Sequence, residues 1–226
     1  MTETARGWAE RLGAVGIWTH DVERMSAAGA SDYVRALESL GFRALWIPES
    51  LGSKEAFAHA SLLLGATTKL VIATGIANIW ARDPVAMANG ARTLGAHSYF
   101  VPVEHTAVAR KELGAGPLLA VEQAAVLDED PVTARATARR HMKRYLELDN
   151  YVNNLRRLGW GDADLAEGGS DKLVDAIAAW GGTVAIKARI DEHRKRGGDH
   201  VCLQVLRADP KGSPTADIER IAKAVL

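Results

Sequence analysis

A chain of 226 residues with 47% hydrophobic and 25% charged residues can bury a full core, which excludes disorder and collagen-like repeats. Its 28 Lys and Arg balance 28 Asp and Glu, so no overall field favours nucleic acid or an anionic membrane. The single cysteine, Cys202, rules out an intrachain disulfide and a Cys-based zinc cluster. The longest apolar stretches fall short of the roughly 20 residues of a membrane span. Residues 1–7 lack the apolar core of a signal peptide, so a cytoplasmic location is expected.

Short β-branched apolar runs alternate with helical patterns along nearly the whole chain, which predicts βα units and a parallel sheet. In order, the candidate strands are Val15–Thr19, Ala44–Pro48, Leu70–Asn78, Ala96–Val101, Leu118–Val126 and His200–Leu206. Between the first two, Val34, Leu37 and Leu40 give one apolar helical face, and Gly41 can take the left-handed conformation that ends a helix. Asp83-Pro84 and Asp130-Pro131 each place a capping side chain before a proline suited to a first helical turn. The stretch Tyr151–Gly182 adds helical patterns around Leu155 and Leu173 with no strand between them, and reads as a helical insertion. A last helix is expected over Thr215–Leu226, and no linker composition divides the chain, so 1–226 reads as one domain. Six units suit an open doubly wound sheet or part of a (β/α)8 barrel, which typically takes roughly 250 residues.

The motifs of dinucleotide-binding turns, P-loops, serine hydrolases and zinc proteases are absent, and the seven histidines show no paired helical spacing for a metal. Five basic residues from Arg135 to Arg144 fall on one long helix and read as a solvated face without the aromatics of nucleic-acid binding. Chemistry in a parallel α/β protein belongs at the carboxyl ends of the strands. There stand Trp18, Thr19, His20 and Asp21, then Pro48 and Glu49, then Asn78. An imidazole, a carboxylate and an indole on one rim supply a general acid or base and a wall for a flat ring, although singly each also suits a loop, a helix cap or the core. Gly75, inside a buried strand, marks a bulge, a close approach of backbone to a ligand, or simple packing.

Seven segments in order resemble the luciferase-like flavin and deazaflavin oxidoreductases. They are Gly16-Ile17-Trp18-Thr19, Leu45-Trp46-Ile47-Pro48-Glu49, Ala73 to Trp80 with Asp83-Pro84, His97 to Pro102, Leu119-Ala120-Val121-Glu122-Gln123, Asn150 to Leu155 and His200 to Leu206. The resemblance implies a (β/α)8 barrel with its cofactor, coenzyme F420 or alternatively FMN, at the carboxyl end of the strands. It implies a cofactor-binding set of Trp18, Thr19, Gly75, Ile76, Asn78, Glu122 and Gln123, with a non-prolyl cis bond at Gly75-Ile76. His20 or Glu49 would exchange a proton with a small-molecule substrate, without a metal, and Tyr151–Asn154 would help form a lid. A homodimer is a family-level expectation, with no nucleic-acid or membrane partner.

After Gly95 the chain passes directly to a segment resembling the family's sixth strand. About two units are therefore missing, including the one that normally holds the cofactor phosphate. A shortened barrel of about six units is expected, with strands three and six paired or left as open edges. Three functional readings follow: F420-dependent hydride transfer, FMN-dependent monooxygenation, or a catalytically impaired binding scaffold. An open flavodoxin-like sheet binding a different phosphate ligand stands behind them.

Overall fold

The computed structural model describes residues 5–49, 54, 56–75, 95–209 and 212–226. The expectations for Ile76, Asn78, Trp80, the Gly75-Ile76 bond and the Asp83-Pro84 helix start lie outside the described residues. Helix α1 (Ala5–Leu12) precedes β1 (Val15–Trp18); then follow α2 (Asp21–Arg24), α3 (Ala27–Ser39), β2 (Ala44–Ile47), α4 (Ala56–Leu64) and β3 (Val71–Thr74). The second part runs β4 (Gly95–Ser98), α5 (Glu104–Leu113), β5 (Leu118–Val126), α6 (Pro131–Tyr145), α7 (Asp149–Arg157), α8 (Asp162–Leu165) and α9 (Asp171–Ile177). It closes with β6 (Ala178–Trp180), α10 (Thr183–Lys195), β7 (His200–Leu206) and α11 (Thr215–Val225).

All pairings are parallel, in the order β3-β2-β1-β7-β5-β4, with β6 joining β5 off this path. That is the order of a (β/α)8 barrel from which the fourth and fifth staves are removed, curled into a half-barrel. An open sheet with β1 at a topological switch is thereby excluded. Among the described residues β3 and β4 end the sheet.

The local signals explain most boundaries. Asp130 caps α6 by accepting the Thr133 N–H at 2.9 Å, with Pro131 in the first turn. Gly41, at φ +95°, ends the run after α3, where a side chain would be strained. The fourth strand starts at Gly95 and stops at Ser98 rather than running to Val101, because Phe100 takes φ +55° and turns the chain out of the sheet. One expectation is corrected: the segment after Tyr151 is not wholly helical, since Ala178-Ala179-Trp180 forms β6. Three residues, two of them alanine, carry neither the alternation nor the β-branching that marks a strand.

The placement of β6 shows how the short sheet is completed. On the edge of β5 away from β7, β4 pairs with residues 118–121 and β6 with 124–126. The gap between them is spanned by two side chains: Glu122 Oε2 accepts the Phe100 N–H at 3.2 Å, and Gln123 Nε2 donates to Ile177 O at 2.8 Å. Every residue of β5 is buried, as a strand covered on both faces requires.

Alternation divides the side chains between two cores. Outward, Val15, Ile17, Leu45, Ile47, Leu119, Val121, Val201 and Leu203 pack with Val34, Leu37, Leu63, Ile186, Ile190, Ile218 and Ile221 of the surrounding helices. Each such side chain contributes roughly 1.5–3 kcal/mol by leaving water. Inward, Trp18, Ala44, Trp46, Ala120 and Cys202 meet Leu12 and Trp8 of α1, which lies across the amino end of the concave face. On the carboxyl half of β5, Ala124 and Val126, which alternate on to the same face as Ala120 and Glu122, lie under α6, α7 and α9 through Ala134, Ala138, Met142, Leu155 and Leu173.

Candidate active site

The deep part of the concave face is filled by rings. Trp46 stacks on His97 with centroids 4.8 Å apart, and its Nε1–H donates to His200 Nε2 at 3.1 Å. His200 in turn donates from Nδ1 to Gly13 O at 2.6 Å. Burial pushes His97 and His200 down to about 4, so both are neutral at pH 7 and act as packing and hydrogen-bonding groups.

Nearer the carboxyl end stands Trp18, 1% exposed, with its ring 5.0 Å from Tyr99 and 4.7 Å from His20. A Cβ on Gly75 would lie 2.2 Å from Trp18 Nε1. Of the readings of Gly75, packing is what the structure shows: the group against it is the Trp18 indole. Tyr99 Oη bonds Tyr145 Oη at 2.8 Å and donates to Gln204 Oε1 at 3.0 Å, while Phe100 stacks on Tyr145 at 4.8 Å. Tyr151 of α7 packs on this cluster, 5.1 Å from Tyr145 and 5.6 Å from Phe100. Glu122 sits in the same region, with Oε1 unpartnered, and burial pushes its carboxyl up to about 8. It is a carboxylic acid at neutral pH. Trp18 Nε1 and His141 Nε2 are likewise buried without a partner among the described residues.

Beside this aromatic floor opens a cleft of about 320 Å³. Thr19, His20, Asp21 and Arg24 form one wall, Thr137, Arg140 and His141 of α6 another, and Gln204–Arg207 the third. Thr19 extends the ladder by donating its N–H to Trp46 O at 3.1 Å, and its Oγ1 accepts the Asp21 N–H at 3.0 Å. His20 follows at the cap of α2; burial, then the charges of Arg144 and Arg24, lower its pKa. It therefore stands as neutral imidazole at neutral pH, able to take a proton. Asp21 grips Arg207 through both oxygens at 3.1 and 3.2 Å, fastening the end of β1 to the end of β7.

Of the residues singled out from sequence, the structure brings Trp18, Thr19 and His20 to this mouth, with Gly75 behind Trp18 and Glu122 on the same inner face. Glu49 is half-buried just past β2, whose Trp46 pairs with Trp18. Gln123 is not brought together with them. It alternates to the outer face, where His193 Nε2 bonds its Oε1 at 2.8 Å. The groups missed by sequence are those on α6 and β7: Arg140, His141, Gln204 and Arg207. The basic run on that helix divides, Arg135 and Arg139 pairing with Asp171 and Asp175 while Arg140 reaches the cleft. The charge run was the available signal, and a solvated face accounts for only part of it.

Among the described residues, no group of three or more His, Cys, Asp or Glu is placed to hold a metal, and no helix is long and apolar enough to cross a membrane. Residues 9–98 match the profile of the family described as luciferase-like monooxygenase. No curated protein sequence matches the chain. The coenzyme F420-dependent tetrahydromethanopterin reductase from Methanopyrus kandleri superposes with a TM-score of 0.60 at 12% identity, over 93% of this chain and 97% of that one. An F420-dependent secondary alcohol dehydrogenase, solved with an F420–acetone adduct, superposes with a TM-score of 0.57 at 12% identity, over 94% and 98%. At such identity the likeness establishes the fold.

Proposed function

We propose, from the premise that the profile match and the half-barrel both fit the luciferase-like family, that this protein is an oxidoreductase moving hydride between a deazaflavin and a small organic substrate. The observation that carries the reading is the cleft at the carboxyl ends of β1 and β7, beside the aromatic cluster of Trp18 and Tyr99 and lined by a neutral imidazole.

The residues present fit such a group at the mouth. Three buried polar atoms lack partners among the described residues, His141 Nε2 on a residue that lines the cleft and Trp18 Nε1 and Glu122 Oε1 on residues beside it, and a buried unpaired group is found where a ligand or water completes it. The volume lies at the lower end of small-ligand sites, which suits a ring with its tail in solvent. When bound, a deazaflavin supplies a ring carbon that carries hydride. Thr19 and the edge of Trp18 would hold and orient its flat part, and Arg140 and Arg207 its charged part. His20 would take the proton from a substrate hydroxyl on an imidazole nitrogen, with Glu49 as a second proton-exchanging group at the rim. Tyr151 and Tyr145 would exclude water from above.

A titration of the size-checked protein with coenzyme F420, followed by its fluorescence, tests this against FMN in parallel. Saturable binding of F420 supports hydride transfer. Binding of FMN alone turns the reading to monooxygenation. Binding of neither by a folded, monodisperse protein refutes the enzyme reading and leaves a binding scaffold.

A further inference from the structure

We infer that the cleft between β1, β7 and α6 is an oxyanion site, taking a phosphate or carboxylate group of whatever ligand enters it. The inference rests on reading this cleft as the binding site, and says which chemistry it selects.

Charge is the first argument. The lining holds three guanidiniums, Arg24, Arg140 and Arg207, against one carboxylate, Asp21. Both oxygens of Asp21 are already engaged by Arg207. The next acid, Glu23, turns the other way, one oxygen accepting the Lys54 N–H at 2.9 Å and the other meeting His59 Nδ1 at 3.0 Å. Two positive charges are thus in excess within one concave surface. Arg144, one turn along α6 from Arg140, adds to the field that lowers the His20 pKa.

Preorganisation is the second. The cations come from three elements that meet only in the folded chain. Arg207 is fixed by its two-point grip on Asp21, and Arg140 is tied to the backbone by donating from Nη2 to Arg207 O at 2.5 Å. A guanidinium held in place loses less entropy on binding an oxyanion, and its fork matches two oxygens. The hydroxyls of Thr19 and Thr137 and the two imidazoles complete a polar lining.

Position is the third. By strand order, β5 and β7 occupy the seventh and eighth places of a barrel, and the loops after those two strands commonly build phosphate sites. A chain short of two other staves retains this corner.

The test uses inorganic phosphate and acetate as probes at constant ionic strength, with chloride as the control, read by calorimetry on the whole protein. Saturable binding of either probe is expected, weakened at least about ten-fold in Arg140→Gln, the loss of one charge-assisted hydrogen bond. Arg35→Gln, on the exposed face of α3, should change nothing. Should Arg140→Gln fail to fold, Arg24→Gln at the exposed end of α2 serves in its place. Binding no different from chloride, or equal in wild type and the cleft variant, overturns the inference. A parallel F420 titration keeps it separate from the cofactor reading: phosphate binding without F420 binding refutes that reading and leaves the oxyanion site standing, and the reverse refutes the site alone. If both bind and phosphate competes with F420, the oxyanion is the cofactor's; if they bind independently, it is the substrate's.

Discussion

Glu122→Gln should gain stability relative to the wild type as pH rises above 6.5. Glu122 is 3% exposed, accepts one backbone N–H, and is pushed from an ordinary 4.5 up to about 8 by burial. Between those values the unfolded chain has lost this proton and the folded chain keeps it, so stability falls as pH rises, by about 1.4 kcal/mol per unit. Buried histidines act the other way: burial holds His97, His141 and His200 down to about 4 and His193 to about 3, and it lowers His20 and His105. Around and below pH 6.5 the unfolded chain protonates them and the folded chain does not, so their contribution rises with pH through neutrality and offsets that of Glu122 in the wild type. Wild type and Glu122→Gln share the histidines, so the difference between the two isolates the carboxyl. Glu122→Gln keeps the shape and an acceptor for the Phe100 N–H, and relative to the wild type it should gain about 1.5–2 kcal/mol from pH 6.5 to 8, a relative gain in Tm of roughly 3–8 °C. Urea unfolding midpoints at half-unit steps from pH 6 to 8 measure both. A difference between variant and wild type that stays constant across the window refutes the buried neutral acid.

Gly75→Ala should destabilise by about 1–3 kcal/mol through overpacking against Trp18 Nε1, a fall in Tm of roughly 2–12 °C, with partial rescue by Trp18→Phe in the double variant. An unchanged unfolding midpoint would show that the indole is elsewhere. Gln123→Leu should cost about 1–3 kcal/mol, because His193 Nε2 and Ile177 O lose a buried partner, and leave cofactor affinity unaltered. A large drop in affinity without a drop in stability would instead return Gln123 to the rim. His20→Asn should lower kcat by about 100-fold or more while the cofactor Kd stays within about twofold, the split expected of a proton-transfer group. A variant with unaltered kcat would assign the proton to Glu49.

What could be read from the sequence follows from what each feature depends on. The strands at Leu118–Val126 and His200–Leu206 are mainly apolar runs, broken only by Glu122-Gln123, His200 and Gln204, and their ends fall where the pattern puts them. The missing pair of units was legible as a jump in family order, and the strand order bears it out. Strand β6 was not legible, because its pairing is fixed by β5 and by the Gln123 side chain rather than by its own three residues. Nor was the outward turn of Gln123, since a one-residue step in a strand changes the face while the motif Glu122-Gln123 reads as a unit. Arg140 and Arg207 lie 67 positions apart, and only the folded return of β7 beside β5, the strand that leads into α6, joins them.

The same geometry explains how a barrel short of two staves keeps a usable mouth. Removing adjacent staves should leave the inner face wet and the chemistry end without a wall. Here Trp18, Trp46, His97 and Tyr99 fill the inner face, so its lining gains dispersion contacts where the absent strands would have packed. The wall is rebuilt from the other direction: α6, α7 and α9 fold over the carboxyl half of β5, and β6 lengthens the edge that β4 leaves short. Both repairs consume the centre of the site and spare the corner between β1 and β7. A ligand large enough to need the barrel axis must therefore displace Trp18 or Tyr99, whereas one that binds through a charged group and a flat edge meets a cleft already formed. The ratio of affinities for the intact cofactor and for its phosphate-bearing tail alone separates the two. A ratio near one places recognition in the cationic corner, and a large ratio requires the aromatic floor to open.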